Sequence, residues 1–477
     1  MEFLLAYAHR RVPTAQRPID ALAAGGTIAE VAADSGMPPV RVQGIRSFYD
    51  QLHSPAELRV CTGTSCHFAR SVTDLPAGAG EVRCLGHCYA APALQREGVT
   101  YDCFGPTSPI PRRSLVDNPV VLRHVLGGPR SEEAAGLPDG DAILALLESS
   151  GLRGRGGAAY PTAAKWRAAR EASSEVKYVV ANGDEGDPGS YVDRLLLEED
   201  PESILVGMLA CARVIGGTHG IVYIREEYPE AKRRMEAAIA AWRYSRELPV
   251  EVVSGAGSYV CGEETALLRS IEGLRGEPWP KPPYPTTSGL WDRPTVVQNV
   301  ETLVTVAQLA HSGVGARSKA LSISGAVREP GVVEVRLGTP LREVLERGAG
   351  GEIPGRPWKM ALIGGPMGRV VPVSDFDTPL SYGALPGMGH GGIVVLDHRV
   401  TPGALARHLF DFARAESCGN CTPCRVGTQR LAGCRDRGSL ERLMETMALG
   451  SLCGFGQGVP TPLRDLLTHF GDEVFST

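Results

Sequence analysis

Apolar residues recur at three- and four-residue steps through "IAEVAADSGMPPVRVQGIRSFYDQL" (28–52), either side of an "SGMPP" turn, and "PIDALAAGG" (18–26) stops at a glycine pair. Short helices are therefore predicted for the first fifty residues, as a helix-turn-helix-like unit or a small bundle capping the module that follows. Residues 56–104 break into short strands and loops around cysteines, and the Pro/Gly-rich "FGPTSPIPRRS" (104–114) and "GLPDG" (136–140) mark a boundary near 110–130. From about 140 to 310, β-branched runs such as "VKYVVANGD" and "HGIVYIREE" alternate with helical periods such as "YPEAKRRMEAAIAAWR" (228–243). That alternation predicts an α/β layered domain. Residues 318–398 change to short strands with glycine turns ("KALSISGAV", "GVVEVRLG", "KMALIGG", "GGIVVLDH"), the pattern of a small β-grasp or sandwich. Helical signals return with "PGALARHLFDFARAE" (402–416).

The 477 residues, with 58 Gly and 36 Pro, imply several domains joined by many tight turns. A formal net charge of -5 without a long basic tract argues against a protein that lives on phosphate backbones or anionic lipid. The segment "SILVGMLACARVIGG" (203–217) is too short for a membrane span and carries Arg213, so it predicts a buried helix with a glycine stop. "MEFLLAYAHRRVPTAQ" places its arginines after its apolar start, the reverse of a secretory signal, which leads us to expect a cytoplasmic protein, peripheral to a membrane only through partners.

Twelve cysteines in such a chain are better explained by metal sites than by disulfides, because cytosolic thiols are kept reduced. In "ESCGNCTPCRVG" (416–427), Cys418, Cys421 and Cys424 stand three residues apart, so three sulfurs can converge on one corner of an iron–sulfur cube. The fourth ligand is Cys453, in "GSLCGFGQGVP", or Cys434, in "TQRLAGCRDRG"; the glycines around Cys453 favour it. Zinc, which takes paired pairs, is the alternative to 4Fe-4S. A second set, Cys61-x4-Cys66 and Cys84-x3-Cys88, suits a 2Fe-2S cluster or, again, zinc.

"GLRGRGGAAYPTAAKW" (151–166) is a glycine-dense loop running into a helix. Gly154, Gly156 and Gly157 allow backbone N–H groups to approach a phosphate or a flat ring, and Arg153, Arg155 and Lys165 supply positive charge; a purely structural turn is the competing reading. "VVANGDEGDPGSYVDR" (179–194) packs Asp184, Glu185 and Asp187 into one turn, either as acceptors for ribose or ring nitrogens or as a solvated loop. "GAGSYVCGEETALLRSIEG" (255–273) starts a helix with Glu263 and Glu264, which could bind a ligand or only satisfy the helix dipole.

Those three segments, with "GLRGEPWPKPPYP", "VQNVETL" and "ESCGNCTPCRVG…SLC", together resemble the NADH-binding flavoprotein subunit of respiratory complex I and its relatives in NAD-dependent hydrogenases and formate dehydrogenases. "CTGTSCH…CLGHCYAAPAL" separately resembles the thioredoxin-like 2Fe-2S subunit that partners it, here shortened and fused on one chain. The resemblance implies a multidomain α/β fold: a helical segment (1–55), a thioredoxin-like 2Fe-2S module (56–110), a Rossmann-like FMN- and NADH-binding domain (130–315), a ubiquitin-like β-grasp domain (318–400) and a helical 4Fe-4S bundle (401–477). It places FMN on Gly154, Arg155, Gly156, Gly157, Lys165, Asn182, Asp184, Glu185, Tyr259, Gly262, Glu263, Gln298 and Asn299, and NAD(H) on Tyr160, Asp187, Glu264, Lys281 and Tyr284. Cys418, Cys421, Cys424 and Cys453 would hold the 4Fe-4S cluster, and Cys61, Cys66, Cys84 and Cys88 the 2Fe-2S cluster. The implied activity is NADH:acceptor oxidoreduction within a multi-subunit enzyme, formate dehydrogenase being the favoured partner and hydrogenase or complex I the alternatives; a non-enzymatic redox sensor is the reading from another class. No catalytic acid or base is expected, because hydride passes directly between nicotinamide and flavin.

Overall fold

The computed structural model describes residues 17–53, 55–70, 76, 78–128, 134–313, 317–434 and 436–475. The apolar stretch 1–16 lies outside the described residues. Strands β1 (Leu58–Cys61), β2 (Gly80–Val82), β3 (Leu94–Arg96), β4 (Val99–Asp102) and β5 (Gly105–Pro106) form one sheet in the order β2-β1-β3-β4-β5, parallel only between β1 and β2. This is the cysteine-bearing module, with the single helix Thr64–Ala69 between β1 and β2 among the described residues. The Pro-rich connection is not a free linker: β6 (Arg112–Ser114) crosses to a distant sheet, and the buried Glu334 carboxylate accepts from the backbone N–H groups of Val120, Val121 and Leu122.

The alternating region forms β7 (Tyr178–Gly183), β8 (His219–Ile224), β9 (Val250–Ser254) and β10 (Thr295–Asn299), an all-parallel sheet in the order β10-β7-β8-β9. Parallel sheets need both faces covered, and these strands are accordingly near-continuous apolar runs. One face receives the helix Pro201–Ile215, buried along nearly its whole length and stopped by Gly216 at φ 74°. It crosses the helix Val300–Ser312 so closely that a Cβ on Gly207 would lie 2.2 Å from the Leu303 carbonyl oxygen. Alanine there would force the helices apart, at a cost of about 1–3 kcal/mol.

The opposite face receives the N-terminal helices Pro18–Ala23, Ile28–Ser35, Pro39–Arg46 and Asp50–His53. Ile19, Leu22, Val42, Ile45 and Tyr49 share a core with Val180, Ile221, Val253 and Val297 of the parallel sheet. The helical unit therefore caps this sheet rather than the neighbouring cysteine module, because the sheet is what offers an uncovered apolar face.

Strands β11 (Ser318–Gly325), β12 (Gly331–Arg336), β13 (Trp358–Ile363), β14 (Arg369–Pro372) and β15 (Gly392–Asp397) join β6 in a mixed sheet, β14-β13-β15-β11-β12-β6. β11, β12, β13 and β15 lie where the four glycine-punctuated runs predict strands, and β14 is an addition. The helix Leu341–Gly348 is an addition, an eight-residue amphipathic period hidden between strand signals. The Lys319–Glu301 ion pair (2.7 Å), wholly buried, pins this sheet to the helix Val300–Ser312. The C-terminal helices Pro402–Glu416, Thr422–Leu431, Arg437–Gly450 and Pro460–Phe470 pack around Leu409, Phe412, Leu431, Met447 and Leu466.

Candidate functional site

In a parallel sheet, ligands gather beyond the carboxyl ends of the strands where the strand order reverses. Here that switch point lies between β7, which leads on to β8, and β10, which returns to the other side. Asn299, which ends β10, pairs in register with Asn182, one residue before the end of β7. The glycine loop rises beside them, closed at its neck by Gly154 N–H to the Tyr160 carbonyl (2.9 Å) and Thr162 N–H to the Leu152 carbonyl (3.0 Å). Gly157, at φ 124°, has a backbone that side chains disfavour and open space where a Cβ would project; a Cβ on Gly156 would press to 3.0 Å on Asn299. The loop thus feeds bare backbone into the helix Thr162–Glu171, whose Lys165 points to the Val297 carbonyl (2.9 Å) and the Glu264 carboxylate (2.8 Å).

Lys165, Glu264, Lys281 and Glu263 form one chain of ion pairs: Lys281 Nζ lies 2.9 Å from both acids. Burial alone would raise the Glu264 carboxyl, but the two lysines outweigh it and hold it down at about 2. Glu263 Oε2 caps the helix Glu264–Ile271 through Thr265 N–H and Ala266 N–H, so the helix-dipole role foreseen for these acids is real for Glu263. Tyr160 and Tyr284 are 57% and 56% exposed, which leaves both rings free to stack on a planar ligand.

The acidic turn divides its labour. Asn182 spans it, donating to the Gly262 carbonyl (2.9 Å) and accepting from Asp184 N–H (3.0 Å). Glu185 turns away from the cleft: its carboxylate accepts from Ser190, from Asp193 N–H (3.1 Å) and from Arg194 N–H (3.0 Å), at the start of the helix Val192–Glu199. Asp187 faces the third sheet, accepting from the Tyr259 hydroxyl (2.6 Å) and lying 2.6 Å from His390 Nε2. That close approach is not an aligned hydrogen bond, since Nε2 has no partner in suitable geometry. Three residues expected to face a cofactor also make framework contacts. Besides Glu185, the buried Arg155 guanidinium donates to the Ser318 carbonyl (2.9 Å), and Asn299 caps the helix Val300–Ser312 while its amide donates to Asp193 (2.6 Å). Gln298 accepts from the Trp166 indole at 3.1 Å, its amide nitrogen lining the loop near Gly154.

Both cysteine quartets face inward on themselves. Cys61, Cys66, Cys84 and Cys88 are all buried, with Cys84 Sγ and Cys88 Sγ 3.6 Å apart and Cys61 between Cys66 and Cys84. Cys88 Sγ accepts from Gly189 N–H (3.3 Å), directly after the acidic turn, and Arg225 joins the Cys84 carbonyl (2.9 Å) to the Glu185 carbonyl (2.5 Å). Neighbouring thiols together with burial push Cys84 up to about 12 and raise Cys61 and Cys88. At the other end, Cys418, Cys421, Cys424 and Cys453 act on one another, and burial first, then these like neighbours, raises Cys418 and Cys424, the latter to about 12. Cys434 stands apart, its thiol donating to the Arg430 carbonyl and its nearest charge being Asp436. Among the described residues no three His, Cys, Asp or Glu side chains are drawn around the position of one metal ion. Crowded, proton-holding thiols suit an iron–sulfur group, whose iron would replace the protons and supply the missing positive charge. Cys211 and Cys261 are buried and Cys103 is exposed.

Four residues escaped the sequence reading: Arg225, Glu227, Glu416 and His390. Glu416 accepts from Tyr259 N–H (3.2 Å) and immediately precedes the "SCGNC" motif, while His390 lies in "GMGHGG" ahead of β15; proximity to those motifs was the only signal.

Comparison with known proteins agrees with this geometry. The Nuo51 FMN-binding domain family matches residues 147–308, the NADH-ubiquinone oxidoreductase-F iron-sulfur binding region matches 404–476, and the SLBB domain matches 321–371. The chain is 39% identical to the HndC subunit of the NADP-reducing hydrogenase of Solidesulfovibrio fructosivorans, over 69% of this chain and 75% of that one. It is 39% identical to an F-type subunit of the NADH-quinone oxidoreductase of Rhizobium meliloti, over 73% and 91%. The crystal structure of an NAD+-reducing [NiFe]-hydrogenase in the air-oxidized state superposes with a TM-score of 0.84 at 33% identity, covering 94% of this chain and 90% of that one. No helix among the described residues is long and apolar enough to cross a membrane. The chain belongs to the family of NAD-linked FMN and iron–sulfur flavoprotein subunits that includes the F-type subunits of NADH-quinone oxidoreductase and the diaphorase subunits of NAD-reducing hydrogenases.

Proposed function

We propose that the chain is the diaphorase subunit of a multi-subunit, hydrogenase-type complex, exchanging electrons between NAD(H) and a metal-bearing partner subunit. The observation that carries this reading is the convergence of the glycine loop, the acidic turn and the Glu263–Lys281 ion-pair chain at the switch point of the parallel sheet. FMN, when bound, exchanges a hydride with nicotinamide and passes electrons on singly. The chain's residues bind and orient. Backbone at Gly154, Gly156 and Gly157 with Lys165 suits a phosphate at a helix N-terminus, and Tyr160 and Tyr284 suit stacking of a nucleotide. Glu264, kept ionised by two lysines, suits a ribose hydroxyl pair.

Beside this cleft Tyr259 packs on Phe412 and Phe455, the latter two residues from Cys453, which supports the C-terminal quartet as the electron port. Four buried thiols in the N-terminal module suit a 2Fe-2S group. Superposition of the hydrogenase chain over 94% of this one, fused module included, supports a hydrogenase-type partner ahead of formate dehydrogenase. The test is NADH-dependent ferricyanide reduction by flavin- and iron-loaded protein, then hydrogen uptake against formate oxidation by whatever complex co-purifies. A loaded chain that reduces no dye would refute the diaphorase reading, and formate oxidation without hydrogen uptake would reassign the partner.

A further inference from the structure

Behind the acidic turn lies a second, small cavity, of about 40 Å³ and partly open to solvent, that none of Lys165, Lys281, Tyr160 or Tyr284 lines. Asp184, Gly186 and Tyr259 line it, together with Glu81 and Arg83 of the N-terminal module and Ala56. Asp184 therefore stands between two spaces. On one side its backbone is tied to Asn182 and lies against Gly262, at the switch-point cleft; on the other its residue lines the second cavity. Its Oδ2 is shielded from water and has no hydrogen-bond partner.

The charged groups that act on Asp184 come from several elements. Arg225 and Glu227 follow β8, Glu416 ends the helix before the C-terminal cysteines, Asp187 shares the turn, and the Cys261 thiol follows β9. Arg225, the cation that acts most on it, is already committed to Glu227, the Cys84 carbonyl and the Glu185 carbonyl, while Arg59 and Arg83 line the same cavity. Burial, with these acids, pushes the Asp184 carboxyl up to about 8.

The chemistry of the proposed reaction needs such a group. Oxidation of NADH gives NAD+, one proton and two electrons; the electrons pass to a one-electron oxidant, and the proton must reach water. We propose, on the diaphorase reading above, that Asp184 is the proton-exchanging group of the cleft, taking up the released proton and handing it to water in the second cavity. Nucleotide and proton then leave by separate doors: the nucleotide past Tyr160 and Tyr284, the proton past Arg83 and Glu81. The same route runs backwards when NAD+ is reduced.

The test uses loaded protein, ferricyanide as the oxidant and two variants. Asp184→Asn should keep its flavin spectrum, lose roughly 100-fold in rate and regain part of it with imidazole as a diffusible proton carrier. Ala56→Trp, distant from the cleft, should narrow the cavity, lower the rate several-fold and show the same rescue. Independently of activity, infrared difference spectra of wild type should show a carboxylic acid band that titrates near pH 8 and is missing in Asp184→Asn. Wild-type rates in either variant, or no such band, would overturn the proposal. If Asp184→Asn loses its flavin, the Ala56→Trp rate and the wild-type infrared titration decide. Failure of the diaphorase reading is distinguishable, because wild type itself would then reduce no dye.

Discussion

The two cysteine quartets use the same donor atom in opposite settings. The N-terminal four are at most 3% exposed and come from separate elements knitted by a five-stranded sheet, with Arg225 and Gly189 tying them to the flavin-family domain. Of the C-terminal four only Cys424 is buried; the other three sit half-exposed in one loop and at the start of a short helix. The buried set is held by the fold, whereas three of the C-terminal four are held by their own spacing, with two of these and Cys453 nearer solvent. Damage to the first should therefore show up as lost stability, and damage to the second as lost electron delivery.

The largest effect that would break this contrast is at Cys453. Cys453→Ala should remove the whole C-terminal cluster signal, about four iron atoms per chain by metal analysis, while leaving the N-terminal signal and the melting temperature little changed. Cys434→Ala should change neither. Arg225→Ala should instead destabilise the chain by roughly 3–5 kcal/mol in denaturant titration, since it strands the buried Glu227 carboxylate and frees the Cys84 and Glu185 carbonyls. A melting curve unchanged by that variant would erase the distinction between the quartets.

The seam between the two modules is next in size. His408 stacks on His67 (4.5 Å) and meets Thr64 at 3.1 Å, and burial holds its imidazole down at about 3. A histidine depressed below its ordinary 6.5 contributes stability that is complete above pH 6.5 and is lost as pH falls toward 3. Between pH 7 and 5 the loss should be on the order of 2 kcal/mol, measured by chemical denaturation, and His408→Gln should flatten it. The smallest effect belongs to the cleft mouth. Lys281→Ala should raise the KM for NADH about five- to tenfold, near 1 kcal/mol, with kcat almost unchanged, because the ion-pair chain binds and orients but does no chemistry.

Much of this was legible in local sequence. Parallel strands buried on both faces read as apolar runs, "ARVIGG" announced a left-handed glycine stop, and three cysteines at even spacing needed no tertiary help to define a cluster corner. What local sequence could not carry were choices between equivalent side chains. Glu185 and Asp184 are adjacent acids, yet one spends both oxygens on a helix N-terminus and the other keeps an orphaned oxygen beside a cavity. Arg155, a phosphate candidate from its glycine loop, is tied by its guanidinium to the Ser318 carbonyl of the third sheet.

The sequence by itself determined the alternating and glycine-punctuated runs, the glycine loop and the spacing of the two cysteine sets, because those depend on backbone period and short-range spacing. Only the tertiary structure decided which face the N-terminal helices cover and which acids are spent on structure. It also joined Arg225, His390 and Glu416 to the site, because each depends on residues scores of positions apart meeting where solvent is excluded.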